Sequence, residues 1–338
     1  MKCLKTHPNH KILRMHFSHF FFQNYTKFYK SSMCGLYEFS RPILVIWGTE
    51  MLKHFFVKDF DHFSDRRDFK LNSGHRREKM AMEMVARKNG EEWKKMRAII
   101  SPTFSSGKIK SMFPLVCDKA DALVQFLMRQ AAQNQQVEMK KTFGRYTLDT
   151  IASCAFGIEC NSLVDENAEF PRMVEAYFAK SPGRVFKILL HKFIPGLFKL
   201  LNISIQSPAA DFFIDVVKQA IAAREAGMKR GDFLDLLLEA RDSTGDPNSK
   251  YVLNDLGIVA QCVMFLVAGY DTTTSLLSFS SFLLAKHENQ QQRLRDEVQQ
   301  LVKEHGCITY QGIMEAKLLE ACLQGNRTSN LFHSLTEV

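Results

Sequence analysis

The stretch Leu253–Ala285, LNDLGIVAQCVMFLVAGYDTTTSLLSFSSFLLA, decides the fold of this chain. It is too long and too apolar for a surface helix, which leaves a transmembrane span or a central helix buried in a large domain. Length alone favours the membrane. The middle argues against it, because Asp271, Thr272, Thr273 and Thr274 set a carboxylate and three hydroxyls where a bilayer penalises them. Gly269 adds a helix cost of about 1 kcal/mol relative to alanine. A helix that accepts both defects at one point has a function there, and the expectation is a buried central helix.

Spacing sharpens that expectation. Phe265, Ala268, Gly269 and Thr272 are related by i, i+3, i+4 and i+7 and share one side of the helix. Small residues beside an aromatic would let a broad flat ligand lie against the backbone, with the Thr272 hydroxyl next to it. Close helix–helix packing would use the same stripe.

Trp93 and Arg97 form a second constellation. At i and i+4 on a helix they project together, and both are hydrogen-bond donors without an acceptor. Such a pair suits a carboxylate. A tryptophan packed under an arginine stem is the ordinary alternative.

Around these motifs the chain reads as mostly helical. Residues 35–47, GLYEFSRPILVIW, predict two short strands around Arg41-Pro42, and Gly48-Thr49-Glu50 opens a short helix. Helical periodicity then covers roughly 91–98, 111–131, 145–156, 167–180, 207–228, 232–242, 253–285 and 288–304. Turn-forming Gly, Pro, Ser and Asp separate these stretches. No repeat, low-complexity linker or clear domain boundary appears.

Composition agrees with a large globular domain: 338 residues, 46% hydrophobic, 24% charged. The 28 phenylalanines against 8 tyrosines and 2 tryptophans point to core packing, with a lipophilic interior or membrane-facing patch as the other use. The net charge of +9 favours anionic partners, but no basic block or nucleic-acid motif accompanies it, so nucleic acid is not expected. The eight scattered cysteines form no C-x-x-C pair, which fits buried thiols in a reducing compartment and no zinc site. The basic N-terminal segment lacks the arginines and serines of a transit peptide and has no apolar run long enough to span a bilayer.

Ala268-Gly269-Tyr270-Asp271-Thr272-Thr273 resembles the A-G-x-[DE]-T-[TS] signature of the oxygen-activating helix of cytochromes P-450. Trp93-Lys94-Lys95-Met96-Arg97 resembles the family's W-x-x-x-R, within a longer match, EEWKKMRAIISPTFSSGKIKSMFP. GLYEFSRPILVIW, DFDHFSDR and YTLDTIASCAFGIECNSL are similar to further family segments in the same order, so the resemblance runs from about residue 20 to Gln324. It is strongest to the microsomal, xenobiotic-metabolising branch of animals, particularly arthropods.

The resemblance implies a mainly α cytochrome P-450 fold, incomplete here: a helical bundle around the long central helix with a small N-terminal β element. It implies a haem cofactor with Trp93 and Arg97 on a propionate and Ala268 and Gly269 beside the ring. Asp271 becomes the proton-relay acid and Thr272 the hydroxyl that orients water and oxygen; Phe265 and Ala268 become substrate contacts. The implied activity is oxygen insertion into lipophilic xenobiotic or endogenous substrates, with electrons from NADPH through a reductase for which Lys94 and Lys95 offer a footprint. The apolar run 185–201, with its interspersed lysines, becomes a membrane-surface segment, and the implied location is the cytoplasmic face of the endoplasmic reticulum membrane.

The pattern also fails in places. Residues 1–18 do not resemble the family's anchor and proline-rich hinge, 19–324 form the partial domain, and 325–338 are unlike the family. After LLEACLQ (318–324), Gly325-Asn326-Arg327-Thr328 stands where an E-x-x-R helix is expected. Gly-Asn can be encoded across a splice donor, so residues 325–338 are read as intron read-through. Nothing resembles F-x-x-G-x-R-x-C-x-G, so the axial cysteine is absent and no metal ligand is assigned. The second class of expectation is therefore a catalytically inactive fragment or splice product, or a helical lipid-binding protein.

Overall fold

The computed structural model describes residues 33–38, 41–67, 74–165, 167–179, 181–243 and 253–333. The chain divides into two units, Met1–Arg66 with His333–Val338, and Arg67–Phe332. In the first, strands β1 (Met33–Glu38) and β2 (Arg41–Ile46) pair antiparallel from Met33 opposite Ile46 to Glu38 opposite Arg41. Pro42 is tolerated because a two-stranded sheet is all edge. Helix α1 (Thr49–Lys53) follows and runs into a π turn, His54–Lys58. The Phe55 and Phe63 rings meet edge-on at 4.6 Å.

The second unit is helical. Its elements are α2 (Arg76–Glu83), α3 (Gly90–Ile100), α4 (Ser106–Ala132), α5 (Met139–Ile151), α6 (Glu169–Phe178), α7 (Pro182–Phe193), α8 (Pro195–Leu200), α9 (Ala210–Glu225), α10 (Phe233–Ser243), α11 (Asp255–Lys286), α12 (Glu288–His305), α13 (Tyr310–Glu315) and α14 (Lys317–His333). The expected mainly α architecture holds, with differences. Helix α2 escapes sequence reading because its apolar positions are few among Arg, Glu and Lys, and what it buries includes the charged Glu78. Helix α5 begins at Met139, six residues before the expected start at 145, and closes in a π turn, Ala152–Phe156. Gly157, at φ +66°, ends that turn in the left-handed conformation glycine adopts without strain.

The core forms where α11 is crossed by α2, α5, α9 and α10. Its N-terminal half, Gly257 to Val263 and Leu266, is buried. Met80, Ala152, Phe156, Phe213, Ile214, Leu234 and Leu237, all 2% exposed or less, surround it. Burying a side chain of that size contributes about 1.5–3 kcal/mol, which explains why so apolar a helix sits inside the domain. The Phe213 ring lies within 6 Å of the rings of Phe156, Phe170 and Tyr177, tying α6 and α9 to the π turn.

Three buried acidic side chains are held by specific donors. The Glu78 carboxylate, 2% exposed, accepts from Ser204 Oγ at 2.9 Å, Ile205 N at 2.7 Å and Gln206 N at 3.2 Å. Asp232, fully buried, accepts from Arg224 at 2.7 Å, and Asp235 caps the adjoining turn by accepting from Arg230 N and Gly231 N. By length and composition α11 could cross a bilayer, yet nearly half of its apolar window is buried inside the protein.

Candidate functional site

At Ala268 the character of α11 changes. Ahead of it Gly257–Val263 and Leu266 are buried; Ala268, Asp271, Thr272 and Thr273 are exposed. The Thr272 hydroxyl donates to the Ala268 carbonyl at 2.7 Å, and Thr274 repeats the bond to Tyr270 O. Such back-bonding to the preceding turn satisfies the hydroxyl proton inside an apolar helix and leaves the oxygen lone pairs able to accept. The Asp271 carboxylate makes no hydrogen bond among the described residues and stands in solvent.

The four residues of the small-residue stripe do not form one open surface. Gly269 faces α5: a β-carbon there would lie 3.2 Å from Ile151 Cδ1. Phe265 is held by two other rings, with centroids 5.2 Å from Phe104 and 4.9 Å from Phe233. The open surface is therefore Ala268 and Thr272, bordered by an aromatic cluster on one flank and the α5 seam on the other. The helical spacing placed all four on one side correctly; which part of that side meets a neighbour depended on α5 and α10.

Trp93 and Arg97 lie one turn apart on α3, the indole half-buried and the guanidinium exposed. Met96, Ile99 and Ile100 seat α3 on the core. The turn leading into α3 is fastened to α11 by Gln261, whose Nε2 donates to Glu83 O at 2.8 Å and whose Oε1 accepts from Val85 N at 3.1 Å. Sequence reading passed over this residue. Its signal was a lone amide in the apolar run Ile258–Met264, which must find partners when buried. Lys94 pairs with Glu91 at 3.4 Å, and Lys95 is exposed.

On the side of α11 away from Thr272, the Tyr270 hydroxyl approaches α5 at Gly144. Burial, with the carboxylates of Glu175 and Asp271 nearby, raises the Tyr270 phenol above its ordinary range. The buried cysteines are inert by the same physics: burial pushes Cys154 up to about 11 and Cys160 up to about 12. Among the described residues no three His, Cys, Asp or Glu side chains gather to hold a metal ion.

Comparison with known proteins places this arrangement. The cytochrome P450 family model matches residues 8–324. Cytochrome P450 3A41 of Mus musculus is 33% identical over 304 residues, covering 88% of this chain and 59% of the mouse protein. Cytochrome P450 9e2 of Blattella germanica is 35% identical over 314 residues (85% and 58%), and cytochrome P450 6a2 of Drosophila melanogaster 34% over 306 (87% and 60%). The chain thus spans about three-fifths of the length of these relatives. On this collinear match, with Trp93, Arg97, Asp271 and Thr272 on the two helices described, the chain belongs to the cytochrome P450 family.

Proposed function

We propose that this chain supplies the oxygen-side portion of a haem-dependent monooxygenase acting on lipophilic xenobiotic or endogenous compounds. The observation that carries the reading is the sudden opening of α11 at Ala268, where an exposed methyl, hydroxyl and carboxylate follow a buried apolar helix. The donor set fits haem. Arg97 offers five N–H groups and forms no ion pair among the described residues, and Trp93 offers one, so both suit a propionate. Ala268 is small enough to let a flat ring approach the helix. When bound, haem supplies the iron chemistry that activates dioxygen.

The residues' own roles follow. Thr272, its proton held by Ala268 O, offers an accepting oxygen that would position a water beside a bound ring. Asp271, exposed one residue earlier, exchanges protons with solvent and renews that supply. Phe104, Phe233 and Phe265 close the flank with apolar surface, which keeps bulk water back and favours lipophilic substrates. Helices α7 and α8 and the residues capping them expose Val185, Phe186, Ile188, Ile194, Leu200 and Leu201 beside Arg184, Lys187 and Lys199, a composition suited to lying in the endoplasmic reticulum membrane surface on its cytoplasmic side. The exposed Lys95 and the Lys94 side chain offer a reductase a basic surface for delivering NADPH-derived electrons.

The described cysteines favour a second statement: the buried Cys154, Cys160 and Cys262 do not provide a thiolate ligand. Cys154, Cys160 and Cys262 are buried thiols with raised pKa values, each within or beside a core helix. Haemin titration of the purified chain tests the first reading, with saturable absorbance changes expected and lost in Arg97→Gln and Ala268→Leu. Equal affinity in both variants would remove the assigned haem face. Reduced, haem-loaded chain under carbon monoxide should show no long-wavelength Soret band from these thiols, and such a band lost on replacing the three by alanine would overturn the second statement.

A further inference from the structure

A polar cavity of about 260 Å³ lies behind α11, on the side turned away from Ala268 and Thr272. Two residues apart on an α-helix point to nearly opposite sides, so Tyr270 faces it while Thr272 does not. Lys141, Gly144 and Arg145 of α5 form one wall, Arg172 and Glu175 of α6 the other, and Tyr270 the floor. Among the described lining residues, three cations thus face one carboxylate. Neither Lys141 nor Arg172 forms an ion pair among the described residues, unlike Arg76, Arg224 and Arg241, each matched to aspartate or glutamate. Gly144 lies against the ring: the Tyr270 hydroxyl is 3.5 Å from its β-carbon position, in ordinary contact, so the phenol reaches the cavity wall.

The volume lies below the ~300–1,000 Å³ of sites for drug-sized ligands, and such sites are mostly apolar. This one is small and cationic. We propose that the cavity binds a small phosphate-bearing anion, gripped by Lys141, Arg145 and Arg172 with the Tyr270 hydroxyl donating. A phenol whose pKa is raised keeps its proton and remains a donor. The guanidinium groups provide the planar forks that match phosphate oxygens. The inference stands apart from the haem reading, since none of these residues lies on the Ala268–Thr272 surface.

The test titrates inorganic phosphate into the full chain by calorimetry at constant ionic strength, with chloride as balance. Saturable binding is expected. Lys141→Gln and Arg172→Gln should each weaken it about tenfold, the loss of one charge-assisted hydrogen bond. Glu175→Gln should tighten it by removing the one repelling charge, while Lys110→Gln, an exposed lysine on α4, should leave it unchanged. Lys141 and Arg172 are exposed, and matching far-UV spectra and unfolding midpoints in chloride establish that their variants fold.

No saturable binding, an equal loss in Lys110→Gln, or weaker binding in Glu175→Gln would each overturn the proposal. Phosphatidic acid vesicles separate the two sources of a phosphate group. Vesicle binding that survives in the Lys141→Gln/Arg172→Gln double variant assigns the cavity to a free anion. Loss of vesicle binding with unchanged phosphate affinity would refute it.

Discussion

Ile151 Cδ1 lies 3.2 Å from the point where a β-carbon on Gly269 would begin, tighter than ordinary side-chain contact. The glycine in the middle of α11 therefore has a packing cause: it lets α5 approach the helix at the turn where Ala268 and Thr272 open to solvent. Seven residues earlier on α5, Gly144 meets Tyr270 and Thr274 at ordinary contact distance, 3.5–3.8 Å from its β-carbon position. The tight approach of the two helices is thus set at Gly269.

Gly269→Val should destabilise the chain by about 1–3 kcal/mol, the usual cost of overpacking a fitted contact. Ile151→Ala in the same chain should recover part of that loss, because the obstructing atoms are the end of the isoleucine side chain. A double-mutant cycle in urea measures the coupling; strictly additive effects would show that the seam does not carry the strain.

Gln261→Leu should cost about 1–3 kcal/mol, since Val85 N–H and Glu83 C=O lose their partner together. Hydrogen exchange at the Val85 amide should accelerate ahead of global unfolding. Unchanged exchange would mean that the entry to α3 is held by its apolar contacts alone.

Glu78→Ala removes the acceptor for Ser204, Ile205 and Gln206 and should cost about 2–5 kcal/mol. Glu78→Gln keeps the accepting oxygen and should cost less than half as much. Equilibrium unfolding of the two variants side by side decides it, and equal losses would assign the effect to charge rather than to the three bonds.

Stability should fall as pH rises from about 9 towards 12. Cys154 and Cys160 titrate near 9.0 when unfolded but at about 11 and about 12 in the fold, because burial penalises the thiolate. In that window the unfolded chain has released protons that the folded chain keeps, so the unfolded state binds fewer and stability declines with pH. Urea midpoints at pH 7.5 and 10 check the direction, and Cys154→Ala/Cys160→Ala should flatten the dependence. The exposed Cys307 should react with a thiol reagent at neutral pH well before either buried thiol.

Much was legible in the chain alone. A run as apolar as Leu253–Ala285 has to be covered, and a carboxylate with three hydroxyls inside it has to serve something, so α11 and its polar break follow from the cost of burying each atom type. Spacing alone set Trp93 and Arg97 on one side of α3. What spacing cannot show is which part of a helix meets a neighbour. That Gly269 takes Ile151 while Ala268 stays open, that Phe265 is shared with Phe104 and Phe233, and that Tyr270 looks into a cationic cavity were decided by α5, α6 and α10. Those contacts join residues more than a hundred positions apart in most cases, and local periodicity holds no information about pairs brought together only by the packing of whole helices.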